Sequence, residues 1–195
     1  MTPAKITVSG SFTKHLAEIQ RAVSEFEAAG AQVLSPARPT VVDSVEGFVF
    51  VASDLNRSPR LVQDRHLAAI GQSNFLWLVC PDGYVGQSAS LEIGYAVARG
   101  IPVWTQHLPN DLTLRQYVGL RQGCFEALQL TQRIQRSDPP PSLLVDPVAA
   151  AEEVHRVVSN LSEMLRRSTN RRDSESLARA VEVERRHASK ILLPH

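Results

Sequence analysis

The stretch from His66 to Thr105, HLAAIGQSNFLWLVCPDGYVGQSASLEIGYAVARGIPVWT, decides the fold. Its centre, Phe75–Cys80 (FLWLVC), is an unbroken apolar run, the pattern of a strand covered on both faces in a parallel sheet. A helical segment, Leu61–Gln72, precedes it, with Leu67 and Ile70 on one face. A glycine-rich loop, Pro81–Ser90, follows. Next come a predicted helix over Leu91–Arg99 closed by Gly100 and a strand over Ile101–Thr105, which Pro102 places at a strand start or an edge. Helix, strand, loop, helix, strand is the rhythm of an α/β protein.

The same rhythm extends toward the N-terminus. Lys5–Ser9 (KITVS) reads as a strand, and Thr13–Ala29 as a helix with Leu16, Ile19, Val23 and Phe26 at helical spacing. Gly30 closes that helix, because glycine takes the left-handed conformation without a Cβ clash. Ala31–Leu34 is a second strand, stopped by Pro36 and Pro39. Between Val41 and Arg60 the pattern weakens: Val49–Ala52 suits a short strand or a helix end, and Asp54–Arg60 a polar loop. Strands alternating with helices predict a doubly wound parallel sheet, flavodoxin- or Rossmann-like. A ligand then belongs at the carboxyl ends of the strands, which puts the Ser9–Phe12 loop and the Pro81–Ser90 loop on one rim.

Toward the C-terminus, Leu112–Leu130 mixes helix and strand signals. Arg136–Ser142 (RSDPPPS) reads as a linker, since consecutive prolines favour extended chain. Pro147–Arg167 is an amphipathic helix with Val154, Val157, Leu161 and Leu165 on one face and Asp146 as N-cap. A more charged helix is expected over Leu177–Lys190. The expected organisation is an α/β domain over residues 1–135, then a linker and helical C-terminal extension over 136–195.

Composition narrows the function classes. The chain has 195 residues, a formal net charge of +1, 43% hydrophobic and 21% charged residues. That length supports a core without disulfides or a structural metal, and the charge balance provides no global field for nucleic acid or membrane. The mixed-sign charges of residues 163–190 suit a solvated helix face or a subunit contact better than a nucleic-acid patch. Cys80 and Cys124 are the two cysteines, too few for a disulfide framework or zinc-ligand spacing. Cys80 reads as a buried strand residue, and Trp77 and Trp104 as core. The opening MTPAKITVSG lacks a secretory h-region and Phe75–Cys80 is too short to span a bilayer, so a soluble cytoplasmic protein is expected.

Two loops have the residues for chemistry. In Ser9–Phe12 (SGSF), hydroxyls and backbone amides at a helix start suit a phosphate or a sugar hydroxyl. A plain connecting turn is the alternative, and the single glycine argues against a dinucleotide site. In the second loop, Gly83 and Gly86 allow close backbone approach, Ser88 and Ser90 add hydroxyls, and Glu92 is expected in the first helical turn, where the helix N-terminus favours its ionised form.

His66–Trp104 resembles the signature of the nucleoside 2-deoxyribosyltransferase superfamily: an I-x-x-(S/A)-D segment before an apolar strand, a glycine-rich loop, E-(I/L)-G-(Y/R)-A, and a K-P-V or I-P-V strand. The Gly10-Ser11-Phe12 loop fits the same pattern, and the resemblance covers about the first 105 residues. It implies cleavage or exchange at the N-glycosidic bond of a nucleoside or nucleoside monophosphate. The nucleophile would be Glu92, attacking the anomeric carbon, and no metal or redox cofactor is implied. Phe12 would stack on the base, with Gly10 and Ser11 near the sugar or phosphate; Asp64, Gly83, Tyr84, Gly86 and Ser88 complete the expected binding set. A homodimer is also implied, with Pro147–Arg167 as a contact.

The chain departs from the family pattern at three points. His66 stands four residues before Ile70, where family members often have Asp; Asn74 replaces the Asp of the (S/A)-D pair; and Gly86 takes the place of an Asp in the transferases. His66 and Asp82 are then the alternative acids, and Arg57 and Arg60 are either phosphate ligands or plain surface arginines. The loop PDGYVGQSASLE also resembles the P-G-G-x-G-T-x-x-E loop of lysine-decarboxylase-like phosphoribohydrolases, which break the same kind of bond. A catalytically silent nucleotide sensor of the same fold is the rival from another class.

Overall fold

The structure, a computed structural model, describes residues 3–54, 58–131, 147–167 and 171–191. The chain divides into two units, Met1–Pro141 and Ser142–His195. The first contains β1 (Lys5–Gly10), α1 (Leu16–Ala28), β2 (Gln32–Ser35), β3 (Val41–Val45), β4 (Phe48–Val51), α2 (Pro59–Gln72), β5 (Phe75–Val79), α3 (Gln87–Ala98), β6 (Val103–Thr105), α4 (Leu112–Arg115), β7 (Gly119–Leu120) and α5 (Cys124–Thr131).

Five strands form one sheet in the order β2-β1-β5-β6-β7, every neighbouring pair parallel. Among these strands alone the order is 2-1-3-4-5, a doubly wound sheet whose winding reverses between β1 and β5. Their register runs from Ile6 opposite Phe75 to Gly10 opposite Val79. Asn74 secures its start: its Oδ1 accepts from Lys5 N–H and its own N–H donates to Lys5 O. Gly10 is required where β1 ends, because a Cβ there would come within 2.8 Å of the Val79 carbonyl oxygen.

The apolar run of β5 is buried along its whole length, and its alternation feeds two cores. Phe75, Trp77 and Val79 join Ile6, Val8, Ile19, Val23 and Phe26 on the α1 side. Leu76, Leu78 and Cys80 join Ile70, Ala89, Ile93 and Ala96 on the α2–α3 side. Phe26 packs edge-on against Trp77 at 5.3 Å between centroids and against Phe75 at 5.8 Å, with no exposed surface. Phe26→Ala should therefore lower the unfolding free energy by about 3–5 kcal/mol in urea titrations, the usual effect of emptying a buried aromatic site.

The structure refines the sequence expectations before α2, at the start of α3 and over residues 112–130. The weak region before α2 contains an antiparallel hairpin, β3–β4, turning at Glu46 and Gly47, both at positive φ. Helix α3 starts at Gln87 and not Leu91, which moves Glu92 from the first turn into the second. The mixed stretch 112–130 resolves into α4, β7 and α5. Gly30 and Gly100 both take positive φ just past the ends of α1 and α3, and Pro102 immediately precedes β6 inside the sheet.

The second unit contains α6 (Pro147–Arg167) and α7 (Arg171–Ile191), which pack on each other. Leu161, Leu177, Ala180 and Val181 are buried, and exposed pairs such as Glu163–Arg167 and Glu182–Arg186 decorate the surface. The predicted linker 136–142 and the N-cap Asp146 lie outside the described residues. No helix among the described residues is long and apolar enough to cross a membrane.

Candidate active site

Three elements converge on one carboxylate. Along β1, Ile6 and Val8 face the α1 core, so Thr7 and Ser9 must face the opposite side, toward α2 and α3. There Thr7 meets Ser73 at 2.8 Å, and Ser9 Oγ donates a hydrogen bond to Glu92 Oε2. On α3 the buried positions are Ala89, Glu92, Ile93 and Ala96, a single i, i+3, i+4, i+7 stripe against the sheet. A glutamate therefore occupies a core position. It is 6% exposed.

Helix α2 supplies the remaining partners. Gln63, His66 and Ile70 share one face, at spacings of three and four. Gln63 Nε2 donates to Glu92 Oε1 at 2.9 Å, and His66 Nε2 stands 3.3 Å from Glu92 Oε2. At its other nitrogen, His66 Nδ1 shares a 2.7 Å hydrogen bond with Ser35 Oγ at the end of β2. The imidazole is thus held at both ends.

Burial is the largest influence on Glu92 and by itself would raise its pKa. The charge and hydrogen bond of His66, with the bonds from Ser9 and Gln63, outweigh it and hold the carboxylate below its ordinary 4.5. Burial likewise opposes protonation of His66, but Glu92 and the more distant charge of Asp54 raise it above 6.5. Carboxylate and imidazolium stabilise each other. The helix N-terminus, invoked from sequence to keep Glu92 ionised, has no such role at the second turn, since that field fades beyond the first.

The pair lies on the wall of a cavity of about 620 Å³, ample for a nucleotide-sized ligand, over the carboxyl ends of β1 and β2 and the loop after β5. Gly10–Thr13 form one side with Tyr84, Gly86, Gln87, Ser88 and Ala89. The hairpin forms another, with Leu34–Ala37 beside it, and Val62, Gln63, Arg65 and His66 of α2 complete the enclosure. The two loops expected to share a rim do so, at the point where the winding reverses.

Of the residues singled out from sequence, the cavity brings together Glu92, His66, Gly10, Ser11, Phe12, Tyr84, Gly86 and Ser88. Three others lie away from its lining. Asp82 is more than half exposed, stands 3.1 Å from His15 Nε2 and accepts the Tyr84 N–H. That backbone bond, ahead of the His15 contact, holds its pKa down, and Asp82 fixes the loop that presents Tyr84. Gly83 occupies positive φ, and a Cβ there would collide with the Asn110 side chain. Asp64 is on the exposed side of α2 in a fork with Arg60 Nε. Arg60 itself is exposed, and Arg57 lies outside the described residues. Cys80 is buried, and that burial raises its thiol to about 11, so it is no nucleophile.

Sequence reading missed Gln63, Ser35 and the hairpin wall. Gln63 was accessible in principle, because it lies on the α2 face already marked by Ile70. No group of three or more His, Cys, Asp or Glu among the described residues could hold a metal ion.

No family model matches the sequence, and no curated protein does. Among solved structures, the CMP N-glycosidase BcmB of Clostridium botulinum is similar at 15% identity and a TM-score of 0.39, over 66% of this chain and 97% of that one.

Proposed function

We propose that this protein breaks the N-glycosidic bond of a nucleoside or nucleoside 5′-monophosphate, with Glu92 as nucleophile at the anomeric carbon and His66 as proton donor to the departing base. The observation behind the reading is a buried carboxylate on the wall of a nucleotide-sized cavity, its pKa held down, with His66 Nε2 3.3 Å away. A structural glutamate gains little from such a position, since burying an ion pair roughly cancels its own attraction. A nucleophile for an oxocarbenium-like carbon needs that carboxylate.

The hydrogen-bond pattern suits the role. A carboxylate has about four acceptor sites. Ser9 and His66 both address Oε2 and Gln63 takes one site of Oε1, so Oε1 keeps a lone pair for C1′. As Oε1 bonds to C1′, the C1′–N bond breaks and its electron pair goes to the base. The carboxylate becomes a neutral ester, and the charge that kept His66 protonated disappears. Burial, the strongest influence on that ring, then favours its neutral form, and the proton passes to the base. In the second step water attacks C1′, gives its proton to His66, and Glu92 departs as carboxylate. A second free base in place of water would make the reaction a transfer. Gly10, Ser11, Phe12, Gly86 and Ser88 line the side that would hold the sugar or its 5′-phosphate.

The test is incubation with ribo- and deoxyribonucleosides and their 5′-monophosphates, followed by chromatography for free base. Release is expected from at least one substrate, and an added second base distinguishes transfer from hydrolysis. Binding without release across the whole panel would overturn the reading in favour of a nucleotide sensor.

A further inference from the structure

The cavity has two chemically different halves. Beside the starts of α1 and α3 it offers hydroxyls and amides from Ser11, Thr13, Gln87 and Ser88. The opposite half is formed by the hairpin: Phe48, Val49 and Val51 give an apolar surface, and Asp54 stands just beyond β4. Phe48 is backed edge-on by the fully buried Phe50 at 5.2 Å, so the wall is firm. Asp54 is anchored as well, its Oδ2 accepting the Val51 N–H at 2.8 Å and its own N–H donating to Val51 O at 2.9 Å.

The two halves fix an orientation. With C1′ at Glu92, the leaving group must face the proton donor, and His66 lines the cavity together with the hairpin and with Asp54, whose charge reaches it. A flat ring fits against Phe48 there. An ionised carboxylate only accepts hydrogen bonds, so it rewards a ring edge that donates and penalises one that accepts.

Resting on the proposed N-glycosidic cleavage, we infer that Asp54 selects the leaving group by accepting a hydrogen bond from its exocyclic amine, with Phe48 as the apolar face behind the ring. Bases with an amine at that edge, cytosine and adenine, are then preferred over their oxo counterparts, uracil and hypoxanthine.

The experiment measures kcat/KM for base release from cytidine and uridine, adenosine and inosine, and their 5′-monophosphates, using the full-length protein and its Asp54→Asn variant. The unmodified protein should favour the amino member of a pair by roughly tenfold to a hundredfold, the scale of one hydrogen bond to a charged acceptor. The amide introduced by Asp54→Asn can still accept the Val51 N–H but both donates and accepts, so the preference should fall to within about threefold of unity. Any change that acts through His66 affects both members of a pair and cancels in the ratio. Equal rates for amino and oxo substrates in the unmodified protein, or a preference that survives Asp54→Asn with the far-ultraviolet spectrum unchanged, would overturn the inference while leaving the cleavage reading intact. Absence of release from every substrate would overturn both, and only that result does so.

Discussion

Glu92→Gln is expected to lower base release by at least about a thousandfold while the protein stays folded, the scale seen when a catalytic nucleophile is removed. The substitution keeps the size of the side chain and its place on the buried stripe of α3, but an amide cannot bond to C1′ and release it again. Two bonds to the old carboxylate, from Ser9 and Gln63, must then be remade to a group that is half donor. That costs about 1–3 kcal/mol of stability, measurable by urea titration and well short of unfolding. Ligand binding should survive, because the rest of the cavity lining is untouched. Base release within tenfold of the unmodified rate would remove Glu92 from the chemistry.

The second large effect concerns His66. For the unmodified protein, kcat/KM should form a plateau. On the acid side it falls as Glu92 protonates, below 4.5 because that pKa is lowered, and on the alkaline side it falls as His66 deprotonates, above 6.5 because that pKa is raised. His66→Asn should reduce kcat/KM for natural nucleosides by about a hundredfold to ten-thousandfold. It should also abolish the alkaline fall and move the acid fall upward, since burial of Glu92 is then opposed without a cation. A p-nitrophenyl riboside, whose leaving group needs no proton, should lose far less activity. Equal loss on both substrates would make His66 a positioning residue only. Stability follows the same pair. Glu92 contributes above 4.5 and loses that contribution as pH falls through its lowered pKa; His66 contributes below 6.5 and loses it as pH rises through its raised pKa. The melting-temperature gap between the unmodified protein and His66→Asn should therefore be widest between 4.5 and 6.5.

How much of this was legible in the sequence depends on how each residue is buried. Phe75–Cys80 announced a central strand because it is covered on both faces, and the winding of the sheet around it followed. The start of α3 was misplaced because Gln87-Ser88-Ala89-Ser90 looks like loop, having small and polar residues where the helix merely caps a cavity. Extending the helix to Gln87 would have put Glu92 on the stripe with Ala89, Ile93 and Ala96, a stronger sign of function than its neighbouring glycines. Strand β3 escaped because Val41–Val45 is exposed throughout and shows no alternation, although Glu46-Gly47 is a hairpin turn of recognisable type. Asp82 attracted attention through a loop motif that fixes Tyr84 but does not reach the cavity. The pairing of Glu92 with His66 could not be read at all, because it depends on the angle between two helices on one face of the sheet.

That arrangement has a consequence for how the molecule loses its competence. Ser9 and Glu92 are 83 positions apart in the chain and touch only when β1 and α3 lie against each other. A loosened state that retains its helices but lets them drift from the sheet would separate donor from carboxylate, and the glutamate would revert to an ordinary acid. Disarming should therefore precede melting: on gentle heating or in dilute denaturant, turnover should vanish while the helical spectrum is still nearly whole.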